Sequence, residues 1–203
     1  MANTDENITP RLLESARIEF REKGFEKASI NMICKNAQII TGALYKRFDT
    51  KEELFNTLVK LPAQELRRII EEENLKYHKL SKEEQLNKAF ANWHREDTFI
   101  DYIYKYHEEF LLILKSSGGT KYELYFDEIS EIITDSTLLF IIDNNRSDIE
   151  EEMLKPLIHI LVSSHIKGIL EPLLHNMTLK QAKTHVRYLE RFFYVGWKDL
   201  LKL

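Results

Sequence analysis

Residues 32–55 read MICKNAQIITGALYKRFDTKEELF, and this stretch decides the fold. Apolar residues recur at helical spacing on both sides of the short connection Gln38-Ile39-Ile40, which predicts two short helices joined by a turn. Leu44 and Phe48 are four residues apart, so both can anchor the second helix to a core. A longer helix precedes the pair, and one of its faces carries Leu12, Leu13, Ala16 and Phe20. The sequence therefore predicts a three-helix unit that ends in a helix-turn-helix.

The second helix of this motif surrounds its apolar anchors with small and basic residues. Five basic residues and one acidic residue, Asp49, lie between positions 27 and 51, a local charge of +4 in a chain of net charge −4. Small residues at the helix start let the backbone approach DNA, and longer side chains can reach phosphates or base edges. The alternative is that these cations form an ordinary solvated surface. The predicted DNA-binding residues are Ser29, Thr41, Gly42, Ala43, Tyr45, Lys46, Arg47 and Lys51.

The stretch closely resembles the DNA-binding signature of the TetR family of bacterial transcriptional regulators. The matching residues are Phe20, Gly24-Phe25, Ile33, Ala37, Gly42, Leu44-Tyr45, Phe48 and Lys51-Glu52-Glu53-Leu54. This resemblance implies an N-terminal DNA-binding domain and a divergent C-terminal sensing domain. It also implies that the last two long helices form a dimer.

Four residues depart from the usual pattern of that family. Gln38 stands where the family usually has glycine in the turn, and a left-handed backbone there would cost about 1–2 kcal/mol. Ile40 stands in place of a capping serine, so we expect Thr41 to cap the recognition helix one residue later. Ala43 replaces a common hydroxyl residue, and Cys34 replaces alanine. We expect Cys34 to be a small buried packing residue rather than a redox switch.

The composition excludes several classes of protein. With 43% hydrophobic and 31% charged residues the chain is globular rather than disordered, and its net charge of −4 confines any DNA contact to a local patch. One cysteine excludes an intrachain disulfide and fits a reducing compartment. Residues 1–9 lack signal-peptide features, and the longest apolar runs, such as 138–142, are far shorter than the about 20 residues of a membrane span. We expect a cytoplasmic protein with no membrane partner.

Helix starts recur along the whole chain. The capping pattern Ser/Thr-x-x-Glu/Gln occurs at Thr50–Glu53, Ser81–Glu84, Thr120–Glu123, Ser147–Glu150 and Thr178–Gln181, and Thr9-Pro10 marks a further start. Helices are predicted at 10–23, 29–36, 41–48, 51–75, 82–94, 99–116, 121–143, 148–175 and 179–201. The predicted fold class is all-α, with a helix-turn-helix DNA-binding domain over 1–50 and a helical ligand-binding and dimerisation domain over 51–203.

The last two predicted helices carry broad apolar stripes. In the last helix these residues are Val186, Leu189, Phe192, Phe193, Trp197 and Leu200. The preceding helix has a similar stripe, and Ser163, Ser164 and Gly168 there would permit close helix packing. Together with the resemblance, this predicts a homodimer through 148–201. The alternative is that both stripes serve only the core of one chain.

Aromatic residues concentrate in the centre of the chain. The resemblance places an effector pocket in this region, and tyrosines suit such a pocket because each offers an apolar body with a polar tip. We expect a small aromatic or lipophilic effector, with a solid aromatic core and no cavity as the alternative. The predicted effector-binding residues are Trp93, Phe99, Tyr102, Tyr106, Phe110, Tyr122 and Phe126.

The seven histidines show no metal-ligand spacing, and no catalytic motif is visible, so we expect no metal, no cofactor and no enzyme activity. The resemblance implies a homodimeric repressor that leaves a palindromic, double-stranded operator when its effector binds. The alternative is a DNA-binding or protein-interaction module of the same fold without an effector. A helical enzyme is the third possibility, and an enclosed cluster of titratable residues would support it.

Overall fold

The computed structural model describes residues 7–91, 95–145 and 149–202. These residues form ten helices and no strand, which confirms the all-α fold class. The helices are α1 (Ile8–Lys27), α2 (Ile30–Asn36), α3 (Thr41–Tyr45), α4 (Lys51–His78), α5 (Lys82–Ala91), α6 (Arg95–Lys105), α7 (His107–Ser116), α8 (Tyr125–Asn144), α9 (Glu151–Leu174) and α10 (Leu179–Leu200).

The chain divides into two compact units, each made of two segments. The first unit comprises residues 1–64 and 106–125, and the second comprises residues 65–105 and 126–203. Packing thus divides the chain later than the predicted boundary after residue 50, because the start of α4 and all of α7 belong with the N-terminal helices. The predicted boundary separates a DNA-binding region from a ligand-binding and dimerisation region by function, and it stays a prediction.

The core of the first unit contains the residues that the helical spacing indicated. Leu12, Ala16, Phe20, Ile33 and Leu44 have no exposed surface, and Ala37, Phe48 and Cys34 are buried too. The Phe20 and Phe55 rings meet edge to face with centroids 5.1 Å apart, and Phe25 lies 5.6 Å from Phe55. Gly24 has φ 72° and interrupts the helical backbone of α1, which lets Phe25 turn back towards this cluster. The prediction that Cys34 is buried is confirmed.

The predicted helix over 99–116 is in fact two helices. Tyr106 has φ −116° and ψ 40°, so α6 ends before it and α7 begins after it. α7 packs against α1 within the first unit, where Arg17 pairs with Glu109 at 3.2 Å and Arg21 with Glu108 at 2.9 Å. These interactions join residues far apart in the sequence, so helical spacing alone could not reveal the break.

The predicted helix starts had mixed outcomes. Capping boxes are confirmed at Ser81 with Glu84 and at Thr178 with Gln181. Thr50 accepts a hydrogen bond from the Glu53 backbone as expected, although the Glu53 side chain bonds to the Asp49 backbone instead. The start at Thr120 is wrong, because α8 begins only at residue 125. Ser147 lies outside the described residues.

The second unit contains a tight antiparallel pair formed by α9 and α10. A Cβ at Gly168 would lie 2.7 Å from Leu189 Cδ2, so this glycine permits the predicted close approach. Ile100 of α6 completes a cluster with Ile169, Ala182 and Val186. Among the described helices, α9 is the one long and apolar enough to cross a membrane by composition, with a mean hydropathy of 1.3. Its apolar residues are accounted for in part by this packing.

A carboxylate is buried in the same unit. Glu190 of α10 is only 4% exposed, and its Oε1 atom has no hydrogen-bond partner among the described residues. Removal from water disfavours the charged form, so burial raises the pKa of Glu190 from 4.5 to about 7. The folded protein therefore holds a proton there that the unfolded chain releases more readily.

We expect the stability of the protein to fall relative to Glu190→Gln as pH rises from about 4.5 to about 7. Below this interval the carboxyl is protonated in both states. Within it the unfolded chain loses the proton first. Deprotonation therefore lowers the free energy of the unfolded state relative to the folded state, and up to roughly 3 kcal/mol of stability is lost. Urea denaturation of both proteins across the interval measures this. Glu152→Gln, which changes an exposed residue of α9, is the control. A constant difference between wild type and Glu190→Gln would contradict the assignment.

Candidate nucleic-acid interface

Side chains of α1 hold α2 in place. The Ser15 hydroxyl donates to the Ile33 carbonyl at 2.8 Å, and the Glu19 carboxylate accepts from the Ser29 backbone N–H at 3.0 Å. Ser29 is the N-cap of α2, and its hydroxyl accepts from the Met32 backbone at 3.4 Å. Ser29 therefore caps α2, and its predicted contact with DNA stays a prediction.

The turn between α2 and α3 is held by Arg11, a residue that sequence reasoning missed. Its Nε donates to the Ala37 carbonyl at 3.0 Å, and its Nη2 donates to the Gln38 carbonyl at 3.1 Å. Gln38 has φ 56°, the left-handed conformation that glycine would adopt without strain. A cation at the carbonyl end of a helix also interacts favourably with the helix dipole. Arg11 therefore offsets the strain of a turn that lacks glycine, and the missing glycine was the signal that such a partner was needed.

The third helix presents two different sides. Leu44 has no exposed surface, and Phe48, which follows the helix because α3 ends at Tyr45 rather than at the predicted residue 48, is 5% exposed; both residues are buried anchors as predicted. Opposite them Tyr45 is 50% exposed, Lys46 and Gly42 are also exposed, and no atom lies within 4 Å of where a Cβ of Gly42 would be. Thr41 and Ala43 are half-buried. The exposed side therefore leaves room for a partner to approach the backbone closely at Gly42.

The N-cap of α3 differs from the expectation. Ile40 occupies that position, and no side chain accepts a hydrogen bond from the start of the helix. The expectation that Thr41 takes over the cap is wrong, because Thr41 is already the first helical residue. The helix is held by its buried anchors rather than by a capping side chain.

Two of the predicted DNA-binding cations are engaged within the protein. Arg47 donates from Nε to the Thr9 hydroxyl at 3.2 Å and from Nη1 to the Ala43 carbonyl at 3.0 Å. Lys51 Nζ donates to the carbonyls of Glu26 and Ala28 at 3.1 and 3.2 Å and lies 4.7 Å from the centre of the Phe25 ring. Both cations stabilise helix ends here, and their contacts with DNA stay predictions.

The predicted effector residues are divided between the two units. Tyr106, Phe110 and Tyr122 belong to the first unit, whereas Phe99, Tyr102 and Phe126 belong to the second; Trp93 lies outside the described residues. Phe110 has no exposed surface, and the Tyr122 hydroxyl donates to Asn56 Oδ1 at 2.6 Å. Burial raises the pKa of Tyr122, and the nearby carboxylate of Glu52 adds to the rise. The effector-binding role of these residues stays a prediction.

No group of three or more His, Cys, Asp or Glu side chains that could hold a metal ion occurs among the described residues.

Comparison with known proteins agrees with this arrangement. Residues 12–58 match the profile of the bacterial regulatory proteins of the tetR family. A segment of 49 residues is 43% identical to the HTH-type transcriptional regulator UidR of Escherichia coli strain K12, covering 24% of this chain and 25% of UidR. The matched segment thus spans about a quarter of the length of the curated relatives. The predicted resemblance to the TetR family is confirmed.

Solved structures extend the likeness of fold over most of the chain. A transcriptional regulator from Aquifex aeolicus VF5 aligns over 92% of this chain and 99% of its own, with a TM-score of 0.55 and 20% identity. A protein from Mesorhizobium loti assigned to the TetR family aligns over 95% of this chain and 98% of its own, with a TM-score of 0.53 and 17% identity. At these identities the structures support the fold, in which a helix-turn-helix domain precedes a helical C-terminal domain.

We expect Arg11→Met to lower the free energy of unfolding by about 1–3 kcal/mol, because it leaves the Ala37 and Gln38 carbonyls without their charged donor. Arg21→Met is the matched control on the same helix. It removes an exposed ion pair with Glu108, which contributes about 0–1 kcal/mol. Chemical denaturation of the three proteins measures both changes, and equal losses in the two variants would show that the Arg11 hydrogen bonds have no special role.

Proposed function

We propose that the protein is a homodimeric transcriptional regulator that binds a palindromic operator in the major groove through α3. The observation that carries this proposal is the two-sided α3. Leu44 of α3 and Phe48 just after it are buried, whereas Gly42, Tyr45 and the C-cap Lys46 are exposed, inside a segment that matches the tetR family. The second helix of a helix-turn-helix lies in the major groove, and its first residues contact base edges.

Charge supports the same partner. The stretch between positions 27 and 51 has a local charge of +4, although the whole chain has −4. Phosphate contacts supply affinity and position, and they make binding depend strongly on salt. The local excess therefore favours DNA bound at this stretch of the chain.

Exposed apolar side chains on α9 and α10 support the dimer. Ile160 is 60% exposed, and on α10 Tyr188, Phe192 and Val195 are 68%, 75% and 65% exposed. Exposed apolar groups grouped on two adjacent helices indicate a partner surface. A second copy of the chain would cover them in a two-fold symmetric four-helix interface. Such a dimer would set two α3 helices roughly 34–36 Å apart, one turn of DNA.

The repressor role and release by a small effector complete the proposal, together with a cytoplasmic location and the absence of enzyme activity. The burial of Phe110 and Tyr122 favours the second candidate, a DNA-binding module of this fold without an effector. The reciprocal coupling between effector binding and operator binding distinguishes these two candidates. A true effector weakens operator binding by the same factor by which the operator weakens effector binding.

Selection from random duplex DNA tests the operator proposal, and Gly42→Ala sharpens it. We expect an enriched inverted repeat with half-sites one helical turn apart. In the free protein a methyl group at position 42 meets open space, and alanine is favoured over glycine in a helix by up to about 1 kcal/mol. On DNA the same methyl group blocks close approach of the backbone, so we expect affinity to fall by about tenfold or more.

Gly118→Ala is the control, because it also places a methyl group in open space but lies outside the helix-turn-helix. Thermal melting and operator affinity are measured on the three proteins. Unchanged affinity in Gly42→Ala, or no enriched sequence for the wild type, would contradict major-groove binding by α3.

We expect Ile160→Glu combined with Phe192→Glu to give monomers, because a symmetric interface would bury unpaired carboxylates at a cost of several kcal/mol. The exposed positions of these residues make them better probes than Phe193, whose ring stacks on His165 within the chain at 4.4 Å. Leu61→Glu, at a residue of α4 that is 75% exposed, is the control. Sedimentation reports the mass, and an unchanged dimer in the double variant would place the interface elsewhere.

A further inference from the structure

Ile40 has an unusual environment at the start of the recognition helix. It is the N-cap of α3, with extended backbone at φ −76° and ψ 145°, and its side chain makes no capping hydrogen bond. It is also 78% exposed, the highest exposure of any large apolar side chain among the described residues. A serine, threonine or aspartate at an N-cap accepts a hydrogen bond from the helix start and stabilises it. Ile40 thus neither caps the helix nor contributes to the core.

The neighbours of Ile40 do not extend it into an apolar patch. Along the chain Gln38 and Gly42 are exposed, and Ile39 and Thr41 are half-buried, so Ile40 is the one fully exposed large apolar residue among these five. A protein partner normally requires a contiguous apolar patch. A single exposed apolar side chain beside the proposed DNA-binding surface is better suited to contact one apolar group on a base than to bind another protein.

We propose that Ile40 is a specificity-determining residue that contacts the 5-methyl group of a thymine in each operator half-site. This inference rests on the proposed function, since it requires α3 to lie in the major groove. The thymine methyl is the apolar group on the base edges of that groove, and apolar side chains read it. The first residues of a recognition helix are those that reach base edges, and Ile40 directly precedes them.

The chemistry of the side chain excludes a hydrogen-bonding role at this position. A hydrocarbon cannot donate a hydrogen bond to a phosphate or to a base edge, unlike the exposed Lys46 and Tyr45. Contact with the methyl group removes both apolar surfaces from water. The chain accordingly gives up a cap at this position and gains discrimination of one base.

The test compares wild type, Ile40→Ala and Ile40→Ser on the operator obtained by selection. Each thymine is replaced in turn by uracil, which removes the 5-methyl group and leaves base pairing intact. We expect one thymine per half-site at which uracil weakens the wild-type protein by about fourfold, the worth of one buried methyl-sized group. At the same thymine both variants should lose this sensitivity. Leu61→Ala, which changes an apolar residue of α4 that is 75% exposed, should retain it.

A second measurement keeps folding separate from recognition. Ile40→Ser restores a capping hydroxyl, so we expect its melting temperature to rise while its sensitivity to the thymine methyl disappears. A variant that loses specificity while gaining stability cannot owe the loss to misfolding.

The outcomes separate this inference from the proposed function. If wild type selects an operator but no thymine methyl matters, or if the methyl matters equally in Ile40→Ala, the inference is overturned and the operator proposal stands. If Ile40→Ala weakens thymine and uracil duplexes equally, Ile40 contacts the DNA backbone and the inference is again overturned. If wild type enriches no sequence at all, both proposals are overturned.

Discussion

A five-residue helix is too short to be stable by itself in water, because forming the first turn orders several residues for a single hydrogen bond. α3 is such a helix, and it has no capping side chain. Its position therefore depends on burial of Leu44 and Phe48 in the first unit, whose core also contains the edge-to-face pair of Phe20 and Phe55. The rest of the first unit supports this arrangement: Ser15 and Glu19 fix α2, and Arg11 fixes the turn that leads into α3.

The basic residues of the first unit divide into those that hold the structure and those that remain exposed. Arg11 and Lys51 donate to backbone carbonyls near the ends of α2 and α1, and Arg47 bonds to Thr9. A phosphate that recruits Lys51 or Arg47 shares the cation with these protein hydrogen bonds, because each side chain has further N–H donors. Lys46, by contrast, is exposed, so the residues that give the local positive charge are not the same set as those that a phosphate can reach directly.

Two titratable side chains, His165 of α9 and Glu190 of α10, are largely removed from water on the helices proposed to form the dimer. Burial lowers the pKa of His165 to about 4, so this ring is neutral in the folded chain and opposes folding as pH falls below 6.5. Glu190 acts in the opposite direction, because its raised pKa opposes folding as pH rises above 4.5. The two contributions change with pH in opposite directions between pH 4.5 and 6.5, so the pH dependence of stability largely cancels there, although each burial still costs stability. Neither group stabilises the fold by being buried, which suggests that packing of α9 on α10 sets their positions.

Local patterns in the sequence determined the helical fold class, the helix-turn-helix, the buried face with Phe20 and Leu44, and the caps at Ser81 and Thr178. Periodicity and capping depend on residues three or four apart, so a linear sequence displays them. The tertiary structure alone decided the break at Tyr106, the engagement of Lys51 with carbonyls of α1, and the division of the aromatic residues between two units. It also decided that Ile40 is exposed rather than packed. Each of these depends on which distant segments meet, and the free energy of those contacts is not encoded in the spacing of neighbouring residues.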